Sequence, residues 1–185
     1  MPATERGFSE VPPQRLYVDT NVCLDYLIDT RPRYALAVRL FRHLDACQLT
    51  TLYVSPLSWM EFAHVIRTQR FRDGLSPQWQ QQYDLARWSQ DPAVRQRYLA
   101  ALLGQFEALL DQFGWAEVVI TSDVRRRALQ YIAQYNLQSQ DAVHLACAAE
   151  AGVVDLASLD EGFRRVDNLY LWNDHIYGAS RPTTL

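Results

Sequence analysis

The sequence predicts an α/β fold, specifically a three-layer α/β/α sandwich with a mostly parallel central sheet. Short β-branched runs alternate along the chain with longer stretches of helical periodicity, which is typical of strands joined by crossover helices. The 185 residues, 49% of them hydrophobic, suffice for one domain to bury a sizeable core without disulfides. We therefore expect a single domain at 15–174, between a polar N-terminal tail at 1–14 and a C-terminal tail at 175–185.

The first half of this domain is predicted to contain two strands and three helices. The strands are the apolar runs 16–18 and 52–54. Helices are expected at about 22–28, at 34–46, and from Ser55-Pro56 to about Arg70. Serine is a favoured N-cap and proline is favoured at the first helical position, so the start of the third helix is well marked.

The second half opens with a polar segment that we interpret as a surface insertion. Residues 71–91 contain Asp-Gly, Ser-Pro and Asp-Pro breaks. Beyond it, helices are expected at 93–113, 123–135 and 139–151, the last ended by Gly152, and strands at 117–120, 153–157 and 169–172. The last strand is predicted to lie at the edge of the sheet.

Composition excludes several classes of function. The chain has 18 arginines and no lysine. A Walker-type phosphate loop, a Schiff-base enzyme and a receiver domain each need a lysine, so all three are excluded. The formal charge of -3 gives no general attraction to nucleic acid. Three scattered cysteines favour a reducing cytoplasm, and the sequence shows no run that predicts a membrane span or a secretory signal.

Four acidic residues either follow a predicted strand or lie near the start of a predicted helix. In a parallel sheet, ligands bind at the carboxyl ends of the strands, which these positions are close to. Asp19 follows the first predicted strand and Asp160 follows the fourth. Glu61 and Asp141 lie near the N-terminal ends of two helices. All four are therefore expected to point toward one rim of the sheet.

Four segments occur in the order and approximate spacing of a known family: VDTNVCLDYL, SPLSWMEF, QDAVHLACA and ASLDEGF. With them the chain resembles the PIN-domain family, and within it the VapC-like toxins of toxin–antitoxin pairs. The resemblance implies a cytoplasmic endoribonuclease that cleaves RNA and is restrained by a small antitoxin protein, and it leaves a homodimer open. The site residues implied are Asp19, Glu61, Asp141 and Asp160, supported by Asn21 and Ser158.

The chemistry of such a cluster can also be argued from the residues. Converging carboxylates repel one another unless positive charge is supplied, and oxygen ligands suit Mg²⁺ or Mn²⁺. A metal-bound water could then attack a phosphodiester. We assign Asp19, Asp141 and Asp160 to metal ligation, direct or through water, whereas Glu61 is either a ligand or a general base.

Other interpretations stay open at this point. Each acid, taken alone, could cap or favour a helix end. The whole chain could be a catalytically idle PIN-like module that binds RNA or protein, or a metal-dependent phosphatase, although Asp19-Thr20-Asn21 lacks the Asp-x-Asp of aspartyl-phosphate phosphatases. His64 and His144 each follow an acid by three residues, but we expect local hydrogen bonds and leave both out of the site. An antitoxin helix is expected to dock on the first two helices, around Tyr26 and Leu40.

Overall fold

The computed structural model describes residues 1–8, 10–68 and 77–174. Within them, six strands form one sheet in the order β1-β6-β5-β2-β3-β4, and each neighbouring pair is parallel. The strands are β1 (Thr4–Arg6), β2 (Arg15–Val18), β3 (Thr51–Val54), β4 (Trp115–Glu117), β5 (Asp155–Ala157) and β6 (Tyr170–Trp172). The predicted parallel sheet is confirmed.

Helices connect β2 to β3, β3 to β4 and β4 to β5, as is usual for parallel crossovers. They are α1 (Thr20–Leu27), α2 (Tyr34–Cys47), α3 (Pro56–Thr68), α4 (Pro77–Trp88), α5 (Pro92–Asp111), α6 (Ser122–Tyr135) and α7 (Ser139–Glu150), followed by a 3₁₀ helix at Glu161–Arg165. The side chains of Asp19, Asp91 and Thr121 cap α1, α5 and α6. After α7 the chain turns at Gly152, whose φ of 64° is easy for glycine.

The sheet separates two apolar cores, which makes the molecule three-layered as predicted. Successive side chains of a strand point to opposite faces. Leu16 and Val18 of β2 accordingly pack with α1, α2, α3 and α5, whereas Tyr17 packs with α6 and α7. Helix α4 contacts α5 and α3. Among the helices of the described ranges, none is both long and apolar enough to cross a lipid bilayer.

The N-terminal segment differs from the polar tail expected at 1–14. Thr4–Arg6 forms β1, which pairs with β6 and closes that side of the sheet. The backbone N–H of Thr4 donates to the carbonyl of Leu169 at 2.8 Å. Three polar residues on an edge strand give no apolar alternation, which is why sequence patterning missed them. The prediction that 169–172 is an edge strand is therefore wrong.

The structure also corrects the 117–120 strand, the 71–91 insertion and the proposed docking surface. Strand β4 is Trp115–Glu117 and begins after Gly114, whose φ is 66°. The predicted insertion contains helix α4, whereas residues 71–76 and the predicted tail 175–185 lie outside the described residues. Leu40 is fully buried and Tyr26 packs against Phe41, so these two positions do not form the exposed apolar surface expected.

Candidate functional site

Two acidic residues lie at the carboxyl ends of neighbouring parallel strands, joined by a serine. Asp19 follows β2 and is buried, and Asp160 follows β5. The Ser158 hydroxyl donates to Oδ2 of Asp19 at 2.6 Å, and the Asp160 N–H donates to that hydroxyl at 3.1 Å. Because β2 and β5 pair in parallel, their ends meet at one edge, so Ser158 fixes the Asp19 carboxylate.

Glu61 reaches the same edge from α3. Its Oε2 accepts the Thr20 hydroxyl at 2.6 Å and lies 2.8 Å from Nε2 of His144. Thr20 is the first residue of α1, directly after Asp19, so the two acids are held through adjacent residues. The sequence prediction that Glu61 points toward the rim is in accord with these contacts.

His144 belongs to this cluster although the sequence analysis left it out. It is 1% exposed on α7, and Nε2 also lies 4.0 Å from Oδ1 of Asp19. Its Nδ1 lies 3.0 Å from the Tyr17 hydroxyl. Among the described residues, Asp19, Glu61 and His144 form one group whose potential ligand atoms all lie within 4.8 Å of one another. The only sequence signal was the spacing of three residues after Asp141.

Asp141, in the first turn of α7, lies beside Asp160. A Cβ atom placed on Gly162 would be 3.0 Å from Oδ1 of Asp160 and 3.6 Å from Oδ2 of Asp141. Both carboxylates therefore lie next to Gly162 and close to each other. Asp160 accepts the Gly162 N–H at 2.7 Å. For Asp141, in contrast, no side-chain hydrogen bond is found within residues 1–8, 10–68 and 77–174.

The electrostatics of these groups follow from their neighbours. Burial, together with the charges of Asp160 and Asp19, raises the pKa of Asp141 to about 7. Burial also raises the pKa of Asp19, against the lowering effects of the His144 charge and the Ser158 hydrogen bond. The pocket therefore holds more negative charge around Asp141 than its surroundings compensate.

Glu61 and His144 compensate each other. Burial acts to raise the pKa of Glu61, but the hydrogen bond and charge of His144 outweigh it, so the pKa lies below its usual value. Burial acts to lower the pKa of His144, but the Glu61 hydrogen bond and the charges of Asp19 and Glu61 outweigh it, so the pKa lies above its usual value. This pair forms a buried ion pair when the histidine is protonated.

The two remaining predicted residues lie at the margin. Asn21 is exposed, and its backbone N–H donates to Asp19 at 3.3 Å. Ser158 is buried and contacts Asp19 directly. His64 is exposed on α3, and its charge is a minor cause that lowers the pKa of Glu61. The structure thus brings Asp19, Glu61, Asp141 and Asp160 to one edge, whereas the catalytic and metal-binding roles assigned to them stay predictions.

The donor set suits a hard divalent cation. Carboxylate oxygens of Asp19, Asp141 and Asp160 are the ligands that Mg²⁺ and Mn²⁺ prefer. The pKa of Asp141 is raised by burial and by the charges of Asp160 and Asp19, which the charge of His144 does not offset, so this carboxylate lacks compensating positive charge. A cation there would supply that charge, so the residues present fit the ion.

Solved structures of two toxin–antitoxin complexes contain chains similar to this one. A toxin–antitoxin complex from Klebsiella pneumoniae has a similar chain, with 15% identity and a TM-score of 0.48, covering 83% of this chain and 94% of that one. The VapBC2 complex from Rickettsia felis, bound to a DNA fragment from its promoter, gives 14% identity, a TM-score of 0.49, and coverage of 85% and 96%. No curated protein matches. The PIN domain model matches residues 16–169. The chain therefore belongs to the PIN domain family.

Proposed function

We propose that this protein is a metal-dependent endoribonuclease that hydrolyses RNA phosphodiester bonds with Mg²⁺ or Mn²⁺. The observation that carries the proposal is the group of carboxylates at one edge of the sheet, in which Asp141 has a pKa of about 7 and no hydrogen bond from the described residues. Membership of the PIN domain family supports it, because the family comprises nucleases.

Asp19, Asp141 and Asp160 would hold the metal. When bound, the ion supplies a water of lowered pKa and neutralises charge on the phosphodiester under attack. Asp19 is oriented for this task by the Ser158 hydroxyl and by the N–H of Asn21. Asp160 is oriented by the Gly162 N–H. Fixed carboxylates lower the cost of reorganisation during the reaction.

Glu61 is proposed to orient the attacking water and accept its proton. Its Oε2 is held by Thr20 and His144, which leaves Oε1 for water. A general base must lie within hydrogen-bond reach of the proton that it takes. The position of Glu61 beside Asp19, through Thr20, supports that role.

The biological role is proposed from the resemblance of the four motifs to VapC-like toxins. We infer that the protein is a cytoplasmic toxin held inactive by a small antitoxin, with a homodimer as a further prediction. Growth of a host that lacks the partner tests the inference. Expression of the wild type should arrest growth and Asp19→Asn should not. Equal, unimpaired growth of both would contradict the toxin role and leave the nuclease proposal intact.

The nuclease proposal is tested with purified protein and Mn²⁺. Single-stranded or loop RNA should be cleaved, and Asp19→Asn, Asp141→Asn and Asp160→Asn should each lower the rate by roughly 10²-fold or more, because each replaces a placed charge with a nearly isosteric amide. Asp45→Asn is the control, since Asp45 is exposed on α2. Undiminished cleavage by all three variants would indicate a contaminating nuclease and an idle module. Hydrolysis of small phosphate esters alone would favour a phosphatase.

A further inference from the structure

We propose that Tyr17 and His144 form a buried relay that holds the Glu61 carboxylate outside the coordination shell of the metal, as a positioning pair. The inference rests on the proposed metal-dependent function and deepens it, because it gives a structural reason why Glu61 orients water and does not bind the metal. It gives a positioning role to Tyr17 on β2 and to His144 on α7, neither of which has a carboxylate.

The relay is a chain of two hydrogen bonds, one buried between Tyr17 and His144 and one part-buried between His144 and Glu61. Tyr17 is fully buried and His144 is 1% exposed, so neither has water as an alternative partner. With the proton of a neutral imidazole on Nε2, the Tyr17 hydroxyl donates to Nδ1 over 3.0 Å and Nε2–H donates to Oε2 of Glu61 over 2.8 Å. Both ring nitrogens are then satisfied, and the ring has one orientation.

The same contacts leave Oε2 of Glu61 with no capacity for a metal. This oxygen already accepts the Thr20 hydroxyl at 2.6 Å and the imidazole N–H. A carboxylate oxygen has two lone pairs, so Oε2 is fully used. Oε1 is the Glu61 oxygen left for a water molecule, and an Oε2 held by two donors limits the directions that Oε1 can take.

The imidazole Nε2 also lies near Asp19. It is 4.0 Å from Oδ1 of Asp19, within a group whose potential ligand atoms all lie within 4.8 Å of one another. An N–H donor beside these oxygens presents positive charge, which repels a cation. A metal held by Asp19 would therefore be shared with Asp141 and Asp160, whose carboxylates accept no imidazole N–H from the described residues.

A second arrangement of the same atoms makes the opposite prediction. If the proton were on Nδ1, it would be donated to the Tyr17 oxygen and Nε2 would offer its lone pair. Asp19, Glu61 and His144 would then bind a metal together, with one nitrogen ligand. The position of a single proton separates the two arrangements, and both can be detected without measuring RNA cleavage.

The first test is histidine ¹⁵N NMR of the metal-free protein. The relay predicts that Nε2 of His144 carries a proton. It also predicts that Tyr17→Phe shifts the Nδ1 resonance of His144 and leaves the fold intact. Tyr53→Phe is the matched control: Tyr53 pairs with Tyr17 across β2 and β3, and its hydroxyl is bonded to Arg15 instead. An unprotonated Nε2, or equal Nδ1 shifts in the two variants, overturns the relay.

The second test is pulsed electron paramagnetic resonance of the protein loaded with Mn²⁺. The relay predicts no directly coordinated ¹⁴N, and a loss of Mn²⁺ affinity that is at least about tenfold greater for Asp19→Asn than for Glu61→Gln. Direct ¹⁴N coupling that disappears in His144→Asn overturns the inference while supporting a metal site. Mn²⁺ affinity that is the same in wild type and Asp19→Asn contradicts the proposed function itself, and with it the role of the relay.

Discussion

The acidic pocket has two halves that balance their charge differently. In the His144 half, defined by Asp19, Thr20, Glu61 and His144, each carboxylate accepts side-chain hydrogen bonds and the imidazole of His144 lies near both carboxylates. In the Asp141 half, defined by Asp141, Asp160 and Gly162, the described residues provide one backbone hydrogen bond to the carboxylates and no side-chain hydrogen bond. The difference indicates that the chain's own residues satisfy the carboxylates of the first half, whereas the carboxylates of the second half require a bound cation.

The largest expected change in stability comes from breaking the balanced half. Glu61→Gln removes the carboxylate charge beside His144 and weakens two part-buried hydrogen bonds, which should cost about 2 kcal/mol. For a chain of this size the melting temperature should fall by roughly 4–8 °C. Glu107→Gln, on the exposed face of α5, should change stability by less than about 0.5 kcal/mol. Equal melting temperatures for the two variants would refute the balance assigned to the His144 half.

The uncompensated charge of the Asp141 half should make the stability of the metal-free protein depend on pH. The pKa of Asp141 is about 7 in the fold, whereas the carboxyl of an unfolded chain ionises near 3.8. Between these values the folded state binds more protons, so Asp141 lowers stability progressively as the pH rises from about 4 to about 7 and adds no further slope above that. Thermal melts should show a shallower decline for Asp141→Asn. Parallel pH profiles for wild type and variant would be evidence against uncompensated charge at Asp141.

A methyl group at position 162 should disturb the same half through sterics. Gly162→Ala brings Cβ to 3.0 Å from Asp160 and 3.6 Å from Asp141, and the glycine has no positive φ that alanine would strain. We expect a loss of about 1 kcal/mol and a fall in RNA cleavage of about tenfold, because catalytic carboxylates tolerate little displacement. Gly104→Ala, in a helix with open space around it, should instead be neutral or stabilising. Full activity in Gly162→Ala would place the reacting atoms elsewhere.

The smallest effect is expected at Asn21. Its side chain is exposed, and its contact with Asp19 is made by the backbone N–H, which every substitution except proline retains. Asn21→Ala should therefore change the free energy of unfolding by less than about 0.5 kcal/mol, as measured by denaturant titration. A loss above about 1 kcal/mol would mean that the amide supports the pocket directly.

Sequence patterning predicted the elements with strong periodicity and missed those held by edge contacts. The helices at 123–135 and 139–151 are within one residue of α6 and α7, because their apolar faces pack against the sheet. Strand β1 was missed because its stability comes from hydrogen bonds to β6, which leave no local signal. Strand β4 was placed too late because Val118, Val119 and Ile120 have strong β propensity, although Val119 is 65% exposed.

The site residues likewise divide into those with a local sequence signal and those defined by contacts between distant parts of the chain. The four acids could be found because each follows a strand or lies in the first two turns of a helix, and those positions converge in a parallel sheet. His144 could not, because its role depends on Tyr17 and Glu61, which are 127 and 83 residues away in the chain. A spacing of three residues after an acid is common on helices and carries little information by itself.

The most direct test of the account is a thermal melt with and without Mn²⁺, because a ligand that binds only the folded state stabilises it by mass action. At about 100 times the dissociation constant the gain should be about 2.7 kcal/mol for the wild type. Glu61→Gln should keep most of that gain, whereas Asp141→Asn should lose most of it, since the Asp141 half is the one that requires a cation. An equal gain in Asp141→Asn and the wild type would contradict the claim that the metal completes this half of the pocket.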